Sequence, residues 1–164
     1  MYAEQYRRMS EPLRRDPRAK SLVLHANSLL TAVGYIAYPL LVILLAATGS
    51  PLLVRAVAIP AAAFVAVSLL RRVLDAPRPY EKDGIDPIIH KDTKGRSFPS
   101  RHAFSMAMIA MTWMAWMPAV GSALLAASVF MAAVRVVGGV HYPKDVIAGI
   151  AVAVICGIAG FWIA

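Results

Sequence analysis

Apolar residues run almost unbroken through most of this chain, and the few breaks in them limit what it can fold into. One run extends from about Leu22 to Thr48 and stops at Gly49, Ser50 and Pro51. The next, Leu52 to Leu70, is interrupted only by Arg55 and Pro60 and closes on Arg71 and Arg72. A third begins near His102 and continues to Val137, too long for one crossing, and Pro118 divides it because proline removes a helical hydrogen bond and clashes with the preceding turn. The last starts after Pro143 and reaches Ala164. A bilayer core about 30 Å thick takes about 20 helical residues per crossing. The runs therefore predict an all-α integral membrane bundle of about five transmembrane helices, near residues 22–48, 52–70, 100–117, 119–137 and 144–164. Composition agrees: 59% of the 164 residues are hydrophobic and 16% charged, a balance rare in soluble domains of this length.

Two segments are polar. Residues 1–20 carry Tyr2, Tyr6, Met9 and Leu13 among Arg7, Arg8, Arg14 and Arg15, a pattern that predicts a short interfacial amphipathic helix limited by Pro12 and Pro17. The apolar run behind it is too long for a cleavable signal peptide and lacks a small-residue cleavage pattern, so the segment is expected to be retained. The division is thus an N-terminal segment, 1–20, and a membrane-embedded domain, 21–164. The second polar segment, Asp75 to Pro99, holds four prolines and most of the acidic residues. A connection of that length without regular structure is usually functional or disordered. Cys156 is the single cysteine and lies in an apolar run, which excludes an intrachain disulfide.

Because each span reverses direction, the N-terminus, the 75–99 connection and the short link 138–144 emerge on one face of the membrane. Of 17 Lys and Arg residues only Arg55 falls toward the other face. The net charge of +8 calls for an anionic partner. With no soluble domain to carry that charge, nucleic acid is excluded and a phosphate-bearing lipid fits.

On the basic face stand Arg71 and Arg78 after the second span, Ser100, Arg101 and His102 opening the third, and Arg135, His141 and Asp145 between the last two. Ser100 follows Pro99 and precedes a helical run, so it is an N-cap candidate with the N–H groups of residues 101 and 102 left for an anion. Arginine donors suit the oxygens of a phosphoryl group. Arg135 should have a partner, since an arginine at the centre of a span costs roughly 2.5–3.5 kcal/mol and somewhat less near its end. An imidazole beside a carboxylate is held in one tautomer, which leaves the other nitrogen of His141 free to attack phosphorus with Asp145 as its orienting partner. His102, across the phosphate, can protonate the leaving oxygen and then activate water. The surplus of positive charge would repel a divalent cation, so metal-independent chemistry without a cofactor is expected. His25 and His90 are read as solvated residues.

These residues resemble the motifs of the type 2 phosphatidic acid phosphatase superfamily, the lipid phosphate phosphatases related to bacterial acid phosphatases and vanadium haloperoxidases. Arg71 through Arg78-Pro79 is similar to its first motif, with arginine in place of lysine. Pro99-Ser100-Arg101-His102 is similar to its second, with arginine in place of glycine, and Val134-Arg135 through His141 to Asp145 to its third, with valine in place of serine. The resemblance implies phosphate binding by Arg71, Arg78, Ser100 and Arg135, a phosphohistidine at His141, and general acid chemistry at His102. Arg101 brings a side chain close to the phosphate, where it can meet a second phosphate or a sugar substituent. Membrane members of the family usually have six spans, so this chain is expected to lack the first. The implied reaction is hydrolysis of a phosphate or diphosphate group from a membrane lipid. A polyprenyl (di)phosphate or polyprenyl-linked sugar phosphate is favoured over phosphatidylglycerol phosphate or phosphatidic acid. A haloperoxidase is disfavoured because such relatives are soluble, and a non-enzymatic lipid-binding protein leaves His141 and Asp145 unexplained. The positive-inside rule assigns the site to the cytoplasmic face, although many bacterial relatives work on the outer one.

Overall fold

The fold, obtained as a computed structural model that describes residues 2–163, is a helical bundle without strands among those residues. The helices are α1 (Tyr2–Arg15), α2 (Pro17–Ala47), α3 (Leu52–Leu74), the single turn α4 (Pro79–Lys82), α5 (Arg101–Met114), α6 (Pro118–Val137) and α7 (Pro143–Ile158), the last continued by a π-helical turn, Ala159–Ile163. Four of them, α2, α3, α6 and α7 with its continuation, are long and apolar enough to cross a membrane. The remaining expected crossing, α5, has 14 residues, about 21 Å at 1.5 Å per residue, and is shorter than the 100–117 stretch marked for it. It occupies the centre instead, packed against α2, α3, α6 and α7, with Ala103, Phe104, Met108 and Ala110 buried. Surrounded by protein, α5 need not match the bilayer on its own.

The outer helices look the other way. Tyr35, Ile36 and Ile43 on α2, Val54 and Val73 on α3, and Ile147 and Ile155 on α7 are exposed. At roughly 25 cal/mol per Å² of apolar surface, such belts would be costly in water and are at home in hydrocarbon. Pro39 and Pro60 lie inside α2 and α3. Spans accept such prolines because neighbouring groups satisfy the freed carbonyls.

In hydrocarbon, helix association depends on close contact, which favours small residues at the seam. On α7 the seam consists of Gly149, Ala153 and Gly157, spaced four apart and all buried. A β-carbon on Gly149 would stand 2.6 Å from the carbonyl oxygen of Ser100, and one on Gly157 would stand 2.7 Å from Cβ of Met111. The glycines therefore set how near α7 comes to α5. That approach lets the Ser100 N–H donate to the Asp145 carbonyl at 2.8 Å.

α1 has the amphipathic character expected of it: Tyr6 and Ser10 are buried while Arg7, Arg8 and Arg15 are exposed. It stops at Arg15, and Asp16 caps α2 by accepting the Arg18 N–H at 2.8 Å, so residues 17–20 belong to the first long helix and not to the N-terminal segment. The Tyr6 hydroxyl donates to the Val137 carbonyl at 3.2 Å and accepts the Ile88 N–H at 3.4 Å. It sits against Gly139, whose φ of +77° favours glycine. Tyr2 packs on Tyr142 with ring centroids 4.7 Å apart, and Arg14 pairs with Asp86. The 75–99 connection is irregular but tied: Ser97 N–H donates to the Ala76 carbonyl at 2.8 Å, Ile89 N–H to the Gly138 carbonyl at 3.0 Å, and Gly95 N–H to the Glu81 carboxylate at 2.8 Å.

Gly149→Ala should push α7 away from the start of α5 and cost about 1–3 kcal/mol, as overpacking does. It should lower the thermal unfolding midpoint in detergent, whereas Ile147→Ala on the exposed face should leave it unchanged.

Candidate active site

Each polar residue of the site stands where a helix begins or ends on the face that carries α1. Arg71 lies in the last turn of α3, Arg78 caps α4, Ser100 and His102 open α5, Arg135 is in the last turn of α6, and Asp145 is in the first turn of α7. His141 sits in the link between α6 and α7. Pro79 and Pro143, each at the first position of its helix, start those helices without wasting a donor.

Three guanidiniums are buried here: Arg71 is 4% exposed, Arg78 6% and Arg135 1%. Among the described residues none forms an ion pair with a carboxylate. Arg71 donates through Nη1 to the carbonyls of Ser97, at 3.3 Å, and Pro99. Arg78 donates through Nε to Gly95, at 3.1 Å, and through Nη1 to Val140, at 3.3 Å. Arg135 donates through Nη1 to Oδ1 of Asn27 at 2.8 Å and through Nη2 to Nδ1 of His102 at 3.2 Å. One part of each fork is thus anchored while other donors stay free, among them the buried Nε of Arg135. Close by, the Ser100 hydroxyl is buried without a partner.

Ser100 does occupy the N-cap position of α5, but its side chain makes no cap bond. The first N–H groups of the helix have no acceptor in their own helix. A hydroxyl, helix N–H groups and free guanidinium donors together form a ready receptor for a tetrahedral oxyanion.

The histidines flank this receptor in defined tautomers. Arginine can only donate, so Nδ1 of His102 accepts from Arg135 and the ring carries its proton on Nε2. His141 and Asp145 are 1% exposed, and Nδ1 of His141 lies 3.5 Å from Oδ2 of Asp145, longer than a hydrogen bond. Ser97 stands between them. Its hydroxyl donates to Asp145 at 2.6 Å and lies 3.3 Å from His141 Nδ1, so the imidazole N–H is passed through a serine to the carboxylate. Asp145 also accepts the Tyr142 N–H at 3.0 Å. Nε2 of His141 is left bare. Burial holds the His141 imidazole well below its usual titration range; the Asp145 carboxylate opposes this, and Arg135 and Arg78 add to it.

Of the residues marked from the sequence, Arg71, Arg78, Ser100, His102, Arg135, His141 and Asp145 converge. Arg101 stands at the rim, exposed, with its guanidinium 5.7 Å from the centre of the Phe64 ring. Ser97 and Asn27 join the site without having been marked. Ser97 sits two residues before Pro99 in an irregular stretch, and Asn27 is one polar residue inside the first apolar run, where a membrane setting was itself the available signal. His25 is exposed and bonded to the Ser21 carbonyl at 2.7 Å, and His90 is exposed.

The family model of the PAP2 superfamily matches residues 52–164. This chain belongs to the PAP2 superfamily. Two solved structures carry the same fold. LpxE of Aquifex aeolicus is 24% identical at a TM-score of 0.74, covering 96% of this chain and 92% of that one. A transmembrane PAP2 type phosphatidylglycerolphosphate phosphatase of Bacillus subtilis is 21% identical at a TM-score of 0.63, covering 94% and 82%. No curated protein matches the chain in sequence. Within this PAP2 chain, α1 and α2 precede the family match, yet they supply Tyr6 and Asn27 to the site's support.

In NMR of histidine-labelled protein, His141 should titrate well below the 6.5 of a free imidazole. Because Asp145 raises the value, Asp145→Asn should move it lower still. A midpoint at or above 6.5 would contradict the burial described here.

Proposed function

We propose that this PAP2 protein is a metal-independent membrane lipid phosphate phosphatase working through a phosphohistidine. The bare Nε2 of His141 attacks phosphorus while Arg71, Arg78, Arg135 and the start of α5 hold the equatorial oxygens, whose charge grows as the transition state forms. The bond from phosphorus to the lipid oxygen breaks, and His102, protonated on both nitrogens once the bound phosphoryl group draws Arg135 away from Nδ1, gives its Nε2 proton to that oxygen and becomes a neutral ring. Water then attacks the phosphoryl group on His141, His102 takes up the water proton, and phosphate leaves. Asp145, acting through Ser97, keeps the proton of His141 on Nδ1 throughout.

The observation that carries the lipid reading is a cleft of about 560 Å³ that begins at His102 and Arg101 and runs between α2, α3 and α5 past Leu30, Phe64, Met106 and Ile109. It leads from the charged receptor into apolar surroundings, as a substrate with a wet head and a hydrocarbon tail requires. A polyprenyl phosphate or diphosphate is the favoured substrate. Phosphatidylglycerol phosphate, named for the Bacillus subtilis neighbour, belongs beside it in the test panel.

Purified protein in detergent with a chelator should release phosphate from such a lipid and be inhibited by vanadate. His141→Gln should lower kcat at least about 10⁴-fold without loss of fold, as loss of a covalent nucleophile does. Acid-labile phosphate trapped at 141 in wild type would support the mechanism, and full activity in the variant would exclude it. Ser97→Ala should cost about tenfold in kcat, near the effect of one buried hydrogen bond.

The charge bias favours a cytoplasmic site, and the cations of α1 and the start of α2, Arg7, Arg8, Arg14, Arg15, Arg18 and Lys20, sustain it independently of phosphate binding. The substrate would then be a lipid phosphate of the inner leaflet. With Cys156 replaced, single cysteines at Lys94 and Gly49 should be protected and labelled respectively by an impermeant reagent on intact cells. The opposite pattern would place the site outside.

A further inference from the structure

Gly34 is the one glycine of α2, and it lines the cleft. Glycine weakens a helix relative to alanine, so its place in mid-helix calls for a reason. At Gly149 and Gly121 the reason is close packing. A β-carbon there would meet the main chain of α5, 2.6 Å from the Ser100 carbonyl oxygen and 2.4 Å from Cα of Met114. Gly34 differs: its nearest neighbours across the gap are side-chain tips, Sδ of Met106 at 2.9 Å and Cδ1 of Ile109 at 3.8 Å. Both of those side chains line the cleft as well. The backbones of α2 and α5 therefore stand apart at this level, and the missing side chain is open width.

Leu30, Gly34 and Tyr38 follow one another at four-residue spacing and form one row on α2, facing the row of His102, Met106 and Ile109 on α5. Asn27 on α2 reaches Arg135 at the site, and α5 begins there, so the two helices descend together. Gly34 thus lies opposite Met106, about one turn beyond His102, or roughly 6 Å by the helical rise. Past it the cleft has a floor. The Tyr38 hydroxyl donates to the Ala56 carbonyl at 3.1 Å and ties α2 to α3, and Nε1 of Trp113 donates to the Ala37 carbonyl at 3.0 Å and ties α2 to α5. From Leu30 to Pro39 the helix rises about 13 Å, close to the roughly 15 Å that one leaflet contributes to the hydrocarbon core. Tyr35 and Phe64 line the cleft and are exposed, which opens its side between α2 and α3.

We propose that Gly34, with Met106 opposite it, sets the bore of the cleft and makes the protein selective for lipid phosphates whose tail passes this level toward the floor at Tyr38. This rests on the phosphatase reading above and narrows its substrate to a long-tailed lipid. A side chain at position 34 either occupies the bore or drives the Met106 thioether into it, and a tail is then stopped about one turn from His102. Short esters end before that level, and their phosphate meets the same arginines and histidines. The effect of Gly34 falls on tail length and leaves the chemistry untouched. Each methylene kept out of the cleft forfeits its burial, and two or more of them amount to about a tenfold loss in kcat/KM.

The test compares farnesyl phosphate with dimethylallyl phosphate, and dioleoyl with dibutyryl phosphatidic acid, using the full chain at a fixed detergent concentration. Wild type should favour the long member of a pair it cleaves by about tenfold or more in kcat/KM. Gly34→Leu should lower the long-tailed substrate about tenfold or more and change the short one less than about threefold. Gly34→Ala, which displaces only the flexible thioether, should shift the ratio the same way by about threefold and decides the matter if leucine prevents folding. Adding Met106→Ala to Gly34→Leu reopens the bore and should restore the long-tailed substrate. Ala32→Leu, on the exposed side of α2, should leave the ratio as it is. An unchanged ratio in Gly34→Ala, or equal loss on both substrates, would overturn the selectivity assigned to Gly34. A wild type indifferent to tail length would overturn it while leaving the phosphatase reading intact. Cleavage of no lipid phosphate in either pair would remove that reading itself.

Discussion

Three buried guanidiniums that form no ion pair with a carboxylate among the described residues set the terms for the rest of this molecule. Carrying even one charge out of water costs several kcal/mol after relaxation. The bundle offsets part of that with the carbonyls of Ser97, Pro99, Gly95 and Val140, the amide of Asn27 and the ring of His102. These partners fix where each fork points and neutralise nothing. The positive charge remains, and in the proposed function a phosphoryl group completes it.

Holding that arrangement requires the helix ends to meet at close range. Gly149 lets α7 press against the first turn of α5, and the contact joins the Asp145 backbone to Ser100. Asp145 therefore serves two elements at once: its carbonyl fastens the start of α5, while its carboxylate gathers Ser97 and the Tyr142 N–H beside His141. A shift of α7 would disturb the start of α5 and the His141 imidazole together. On the other side, α1 braces the link that bears His141 through Tyr6 and Tyr2. That support comes from a part of the chain ahead of the PAP2 family match.

The site's position between a basic face and an apolar cleft relates its chemistry to its setting. Charged groups collect where spans end and water can reach, and the cleft departs from the same point between α2, α3 and α5. A short central α5 contributes to this, because past Arg101 at the rim its first turn enters among the other helices, with Ala103 and Phe104 buried.

Most of the architecture could be read from the chain alone. Long apolar runs in a bilayer have no choice but helix, since every backbone group must be satisfied within the segment, and Gly49, Pro51, Pro118 and Pro143 mark the turns. The parity of the spans then placed Arg71, Arg78, Ser100, His102, Arg135, His141 and Asp145 on one face. Other features depended on the folded arrangement. Hydropathy counts apolar residues but does not register neighbours, so it gave α5 a full crossing where protein contacts on every side permit a shorter helix. Spacing along the chain put Asp145 one helical turn from His141 but could not show Ser97, 44 residues away from His141, standing between them. Asn27 reaches Arg135 across 108 residues and Tyr6 reaches Val137 across 131, and nothing local in either segment specifies those meetings. Periodicity and breakers act within a single helix, and so the sequence determined the spans and the chemical types at their ends. Which donors are anchored, which are left free and which side chain stands between His141 and Asp145 follow from the approach of separate helices, and only packing decides that.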